Sequence, residues 1–278
     1  MLHLPRSAWR DLARAIRLIV ARRRQGQATA PLAVEIFSGC GRWAASMRSR
    51  GYDVIEVDRR HGFDLLKSTG RNLLLQFLRD GFVDAVHAAT PCSSFSRARE
   101  RGGGPSALRS DDFPNGVPGL SAADQTKVEE GNKLANLSAQ ILNTCYRNGI
   151  PCSLENPATS RIWKLICFSR LLKRKYMNSV ILDFCAYGTP WRKRTKLIFA
   201  WVDLRGLSRV CTSKHGICDF THKKHQVLEG KKPGTSVFWT AIAEPYPRLL
   251  CTAWSKCFWN QRVSRALGLE QYSVLIRC

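Results

Sequence analysis

The feature that most restricts the fold is a run from Leu32 to Phe37, apolar except for Glu35, that breaks at Ser38-Gly39-Cys40-Gly41 and hands over to a helical stretch. A short, mainly apolar run of this kind suits a buried strand. Residues 42–50 follow as a helix ended by Gly51, and Asp53 to Asp58 alternates as a second strand. Strand, helix, strand in that order asks for a right-handed crossover between parallel neighbours. A helix is expected over Asn72 to Leu78 and a third strand over Val83 to Ala89, stopped by Pro91. Ser121 caps a helix expected to run to Arg147, and Pro151–Leu154, Val180–Phe184 and Lys196–Val202 read as further strands, with a helix over Ser160–Leu172 among them. The fold class is therefore α/β, a Rossmann-like, doubly wound, mostly parallel sheet of six or seven strands.

This unit occupies residues 31–203. Before it, residues 1–30 carry a basic amphipathic helix, Ser7 to Arg24, with Trp9, Leu12, Ala13, Ile16, Ile19 and Val20 near helical spacing. Three readings stay open for it: a helix docked on the domain, a nucleic-acid arm or an organelle transit peptide. Arg97 to Leu120 is rich in Gly, Pro and charge without periodicity, and reads as a mobile lid. From Leu204 the alternation of strands and helices stops, so 204–278 reads as a small basic Cys/His-rich appendage, with a closing helix over Val263–Leu269.

Charge narrows the partner. Lys and Arg number 44 against 21 acidic residues, a net +23, and the excess runs in clusters such as Lys173–Lys175 and Arg192–Lys196. A bias of that size points to a polyanion, nucleic acid first. The 11 cysteines are an odd number in a chain long enough for a full core, which favours a reducing intracellular compartment, the nucleus in a eukaryote, over a disulfide framework. No apolar run reaches the roughly 18 to 20 residues of a membrane span, and no secretory leader is expected.

Two constellations carry chemistry. The turn Phe37-Ser38-Gly39-Cys40-Gly41 lets backbone approach a ligand, and Asp58, or Glu56 two residues before it, stands at the end of the second strand to accept ribose hydroxyls. Together they favour an adenosine-bearing cofactor. The second group is Cys211, His215, Cys218, His222 and His225. Cys with neutral His suits tetrahedral zinc, and the expected ligands are Cys211, Cys218, His222 and one of His215 or His225.

The turn is followed in order by Pro91-Cys92-Ser93-Ser94-Phe95-Ser96, Glu155-Asn156-Pro157, and Tyr187-Gly188-Thr189-Pro190 with a basic run. This series resembles the DNA cytosine-5 methyltransferase family, whose pattern reads Phe-x-Gly-x-Gly, Pro-Cys-x-x-Phe-Ser, Glu-Asn-Val, then Tyr-Gly-x-Pro and Gln-x-Arg-x-Arg. The resemblance covers about Val34 to Phe199. It implies S-adenosylmethionine as cofactor, held by Phe37 to Gly41, Glu56, Asp58, Asp64 and Pro91. It implies Cys92 as the nucleophile that adds to cytosine C6, Glu155 as the residue holding the flipped base, and Arg194 and Lys196 as contacts to the base carbonyl or the phosphates. The chain departs from the pattern in having Pro157 for Val, and Arg194-Thr195-Lys196, one residue late and without Gln, in the basic slot. The family's last motifs are not recognisable, and the segment after the basic run is short for its target-recognition domain. An RNA (tRNA) cytosine substrate, or a nucleic-acid-binding protein that has lost turnover, remain alternatives to DNA methylation.

Overall fold

The computed structural model describes residues 7–27, 29–97 and 106–269. Six strands form one sheet: β1 (Leu32–Ile36), β2 (Asp53–Val57), β3 (Ala85–Ala88), β4 (Cys152–Pro157), β5 (Asn178–Asp183) and β6 (Arg194–Ala200). Their order is β2-β1-β3-β4-β6-β5. β2, β1, β3 and β4 are parallel, and β6 runs antiparallel between β4 and β5. The winding reverses between β1 and β3, which creates the crevice where open α/β sheets hold ligands. The expected doubly wound, mostly parallel sheet is thus the observed one.

Side chains alternate along the strands between two apolar layers, the period-two pattern of a pleated sheet. Leu32, Val34, Ile36, Val86, Ala88 and Leu154 point into a core shared with α1 (Ser7–Arg24), α3 (Ser68–Arg79), α4 (Ala122–Arg147) and α5 (Ile166–Leu172). Ala33, Ala85, Leu182, Leu197 and Phe199 face the other way, against Trp43 and Met47 of α2 (Arg42–Arg48) and Leu250, Trp254 and Phe258 of α7 (Arg248–Ala266). A four-residue helix, α6 (Trp239–Ile242), precedes α7. Among the described residues no helix is long and apolar enough to cross a membrane.

Two expectations change, and one open alternative is resolved. Helix α7 is far longer than the expected Val263–Leu269, and it shares the main core, so this part of the 204–278 segment is a layer of the sheet's own domain. Pro245 and Pro247 disguised its start, yet Pro247 precedes the first turn, where no intrahelical N–H is needed. Of the expected lid, residues 98–105 lie outside the described residues, whereas 106–120 is pinned by Arg109, a fully buried guanidinium. Helix α1 docks: Leu12 and Ile16 are buried, and Trp9 lies so close over Gly70 of α3 that a Cβ there would overlap the indole. Arg23 closes the docked helix by donating to Asp84 at 2.9 Å and to the Phe82 carbonyl at 2.7 Å.

Candidate functional site

The carboxyl ends of β1 and β2 carry the glycine turn. Phe37, Gly39 and Gly41 all have positive φ, and at Phe37 that is a backbone state a bulky residue rarely adopts. Asp58, directly after β2, holds the turn: its Oδ2 accepts the Gly39 N–H at 3.0 Å and its Oδ1 the Arg60 N–H at 2.8 Å. A carboxylate has about four acceptor sites, so two remain for hydroxyls. Glu56 pairs with Arg48 at 2.6 Å and lies against Gly41, where a Cβ would overlap its carboxylate. Ser38 is buried, and its Oγ makes no hydrogen bond among the described residues. Cys40 is exposed, and the Arg60–Glu244 pair, 3.6 Å apart, passes in front of Gly39. Asp64 accepts the Leu66 N–H at 3.0 Å and so shapes the chain after β2. A left-handed turn, a buried hydroxyl without a partner and two neighbouring carboxylates form a donor and acceptor set that fits a nucleoside cofactor.

Across the crevice, β3 ends in the loop bearing Pro91 and Cys92. Pro91 is exposed and Cys92 half-buried, and the Cys92 carbonyl accepts the N–H groups of Phe95 and Ser96, each at 2.9 Å. Asn156, at the end of β4, donates to the Thr90 carbonyl at 2.7 Å and ties the two strand ends together. Glu155 beside it is buried and accepts from the Thr195 hydroxyl and, at 3.2 Å, from the Tyr246 hydroxyl. Since that phenol donates to Glu155, it accepts from His87 Nε2 at 3.1 Å, which leaves His87 Nδ1 to accept from Ser153 at 3.1 Å. This order assigns His87 one neutral tautomer, and the buried polar chain then has a direction.

Burial pushes the Cys92 thiol up, Lys193 draws it down and the Glu155 charge pushes it up again. Of the cations near it in sequence or in the Arg192–Lys196 run, it is Lys193 that lowers the thiol, and burial outweighs it. Arg97 is turned to Asp111 at 2.5 and 2.7 Å, and Arg99 lies outside the described residues.

The basic slot divides. Arg194 forms a two-pronged pair with buried Asp183, at 2.9 and 2.8 Å, and also donates to the Cys211 carbonyl at 3.1 Å. The register sets Asp183 directly opposite Arg194, so the guanidinium is taken up within the sheet rather than held free for a base or phosphate. Lys196 sits opposite Asn156, with Nζ 5.0 Å from the centre of the Trp163 ring, and burial lowers its pKa. The cysteine and histidine cluster also differs from expectation. Cys185, Cys211, Cys218 and His225 converge, with all four ligand atoms within 4.8 Å of one another. His215 and His222 do not join them; both are exposed, at φ 54°, on turns that carry their rings away.

Cys185, His87, Tyr246, Lys193 and Thr195 were not singled out by sequence. Only the last two carried a signal, since they flank Arg194 in the basic run. A cavity of about 190 Å³ lies at the opposite end of the strands, lined by residues including Val83, Asp84, Pro151, Arg262 and Arg265, so it is separate from this crevice.

Two buried groups set opposite pH limits. Burial lowers His87 from 6.5 to about 3. Burial raises Glu35, beneath α2, from 4.5 to about 8, against the opposing Ala44 N–H. Below the ordinary His value the unfolded chain takes up a proton that folded His87 refuses, so stability falls as pH falls towards 3. Above the ordinary Glu value the unfolded chain releases a proton that folded Glu35 keeps, so stability falls as pH rises towards 8. From these two groups stability is expected to be level between pH 4.5 and 6.5, where the slopes cancel. On either side it falls by about 1.4 kcal/mol per pH unit. Urea titrations across pH check this: Glu35→Gln should remove the alkaline fall and His87→Gln the acid one, and unchanged slopes in both variants would refute the assignment.

No protein-family model matches the chain, and no curated protein matches it. Among solved structures it is similar to a mutant of the DNMT2 of Spodoptera frugiperda, at 16% identity and a TM-score of 0.34, over 62% of this chain and 50% of that one. It is similar also to the methyltransferase EhMeth of Entamoeba histolytica, at 12% identity and a TM-score of 0.34, over 88% of this chain and 100% of that one. The chain thus spans half the length of the DNMT2 it is similar to.

Proposed function

We propose that this chain transfers a methyl group from S-adenosylmethionine to C5 of cytosine in DNA, by way of a covalent bond from Cys92 to C6. The observation that carries the reading is the meeting of three motifs at one crevice. The Cys92 loop and Glu155 sit on strand ends tied by Asn156, across the switch point from the turn at Phe37 to Gly41. S-adenosylmethionine, when bound, supplies an electrophilic methyl group on a sulfonium. Ser38, Gly39, Cys40 and Gly41 would hold its charged end, Glu56 and Asp58 its ribose, and Phe37, Asp64 and Pro91 would line it.

Cytosine C5 is a weak nucleophile. Addition of the Cys92 thiolate to C6 turns the ring into an enamine whose C5 takes the methyl group; loss of the C5 proton then expels the thiolate and restores the ring. Glu155, already oriented by Tyr246 and Thr195, would hold the base at N3 and its exocyclic amine and so favour the addition. The proposed partner is nucleic acid, drawn by the net +23, and the chemistry requires a reducing compartment such as the nucleus because Cys92 must stay a thiol.

Tritiated cofactor tests the reading directly. Label is expected in 5-methylcytosine of DNA digests. Label in tRNA alone would move the substrate to RNA, and label in neither would overturn methyl transfer. One observation favours a second reading, a nucleic-acid-binding protein without turnover: Arg194, matched to a base or phosphate contact, is engaged by Asp183.

Lys193 offers a check that needs no turnover. Its charge lowers the Cys92 pKa, so Lys193→Ala is expected to move the midpoint of Cys92 alkylation to higher pH, read by mass spectrometry of the peptide containing Cys92. An unmoved midpoint would remove Lys193 from the site.

A further inference from the structure

We propose that Cys185, Cys211, Cys218 and His225 bind one zinc ion, and that this ion fixes the β5–β6 hairpin beside the Cys92 crevice. The Cys211 and Cys218 sulfurs are 3.9 Å apart, and Cys211 Sγ is 3.8 Å from His225 Nε2. A tetrahedron with Zn–S bonds of about 2.3 Å has edges of about 3.8 Å, so the spacing is that of ligands around a common centre. It is far beyond a disulfide, whose sulfurs lie about 2.05 Å apart. Three sulfurs and one nitrogen suit zinc better than the hard cations, which take oxygen.

The surroundings are those of a metal knuckle. The Cys218 sulfur faces the N–H groups of Phe220 and Thr221, each at 3.4 Å, and the Cys211 sulfur that of Asp219 at 3.5 Å. These contacts stabilise thiolates. The second ring nitrogen of His225 is hydrogen-bonded to Ser213 at 3.2 Å, which leaves Nε2 to the metal. Asp219 closes the loop by accepting the Thr212 N–H at 2.6 Å and its hydroxyl at 3.0 Å, but apolar packing gives it little hold. Val210, Ile217 and Phe220 are exposed, its two cysteines, Cys211 and Cys218, form a small apolar cluster with Cys185, and a single bridge, Ile217 to Lys224, is its only strand pairing among the described residues.

Cys185 gives the site its reach. It lies in the turn directly after β5, two residues past Asp183, the acid that holds Arg194 and accepts the Cys211 N–H at 2.8 Å. Arg194 opens β6, and the next residue, Thr195, donates to Glu155. The metal would thus brace the strand that orients Glu155, through Asp183 and Arg194. The inference does not depend on turnover, since zinc content and methyl transfer are separate measurements.

Elemental analysis of the full chain, purified under reducing conditions, tests it. About one zinc per chain is expected in the wild type. Cys185→Ala should lose the metal although it stands apart from the other ligands in sequence, while His215→Ala and His222→Ala should keep it. To separate loss of metal from loss of fold, His225→Cys is the companion: a four-thiolate site should retain zinc, and on exchange with cobalt should show the absorption of tetrahedral thiolate ligation. A folded wild-type chain without zinc, full zinc in Cys185→Ala, or loss of zinc in His222→Ala would overturn the assignment.

Discussion

Cys92→Ser is expected to lose cytosine methylation by at least about a thousandfold, about 4 kcal/mol of barrier at 1.36 kcal/mol per tenfold. The reason lies in the thiol. A cysteine is a few per cent thiolate at neutral pH before any perturbation, whereas a serine hydroxyl is hardly ionised at all. Burial holds the Cys92 thiol above its ordinary value, so the resting site is largely protonated and Lys193 supplies the opposing pull. A 5-fluorocytosine substrate should trap a denaturation-resistant adduct with the wild type, because fluorine cannot leave C5 as a proton does. The serine variant should form none while still binding cofactor in calorimetry. Methylation that persists in Cys92→Ser would exclude the covalent route.

The largest expected change in stability belongs to Arg109. Its guanidinium donates to the carbonyls of Ser94 at 3.1 Å, Pro114 at 2.6 Å and Val128 at 3.0 Å, to Asn132 Oδ1 at 2.7 Å, and stacks 3.7 Å over Phe95. Burial lowers its pKa only to about 10, so it stays charged at neutral pH. Arg109→Ala would leave several buried acceptors without donors, and a loss of about 3–5 kcal/mol is expected in urea titrations. Arg109→Lys, a point charge without the planar fork, should recover only part of it. The same variants should raise the alkylation rate of Cys92, because Ser94 and Phe95 anchor its loop. A change within about 0.5 kcal/mol, as at an ordinary surface position, would refute the role.

What the sequence disclosed was what local physics decides. The glycine turn, the stop at Pro91 and the Ser121 cap, whose Oγ accepts the Asp124 N–H at 3.2 Å, depend on neighbours within a few residues. Arg194 shows the limit. A charge in a basic run looks free until the register sets Asp183 across from it. The metal cluster shows another: nearness in sequence suggested His215 and His222, but left-handed turns aim them at solvent, and the fold recruits Cys185 from the far end of β5. Tyr246 meets Glu155 across 91 positions of chain and His87 across 159, which no periodicity discloses.

The position of α7 along the chain has a consequence for synthesis. It follows all six of these strands, yet with Leu250, Trp254 and Phe258 it completes, beside α2, the cover of one face of the sheet. At about 5–20 residues per second, roughly 10–40 s pass between the emergence of β1 and of this helix. Until α7 emerges, Leu182 and Phe199 lack the cover that Leu250, Trp254 and Phe258 give them, and the half-built sheet exposes apolar surface. Ribosome-bound chains arrested before Arg248 should stay protease-sensitive, and those extended past Ala266 should become resistant.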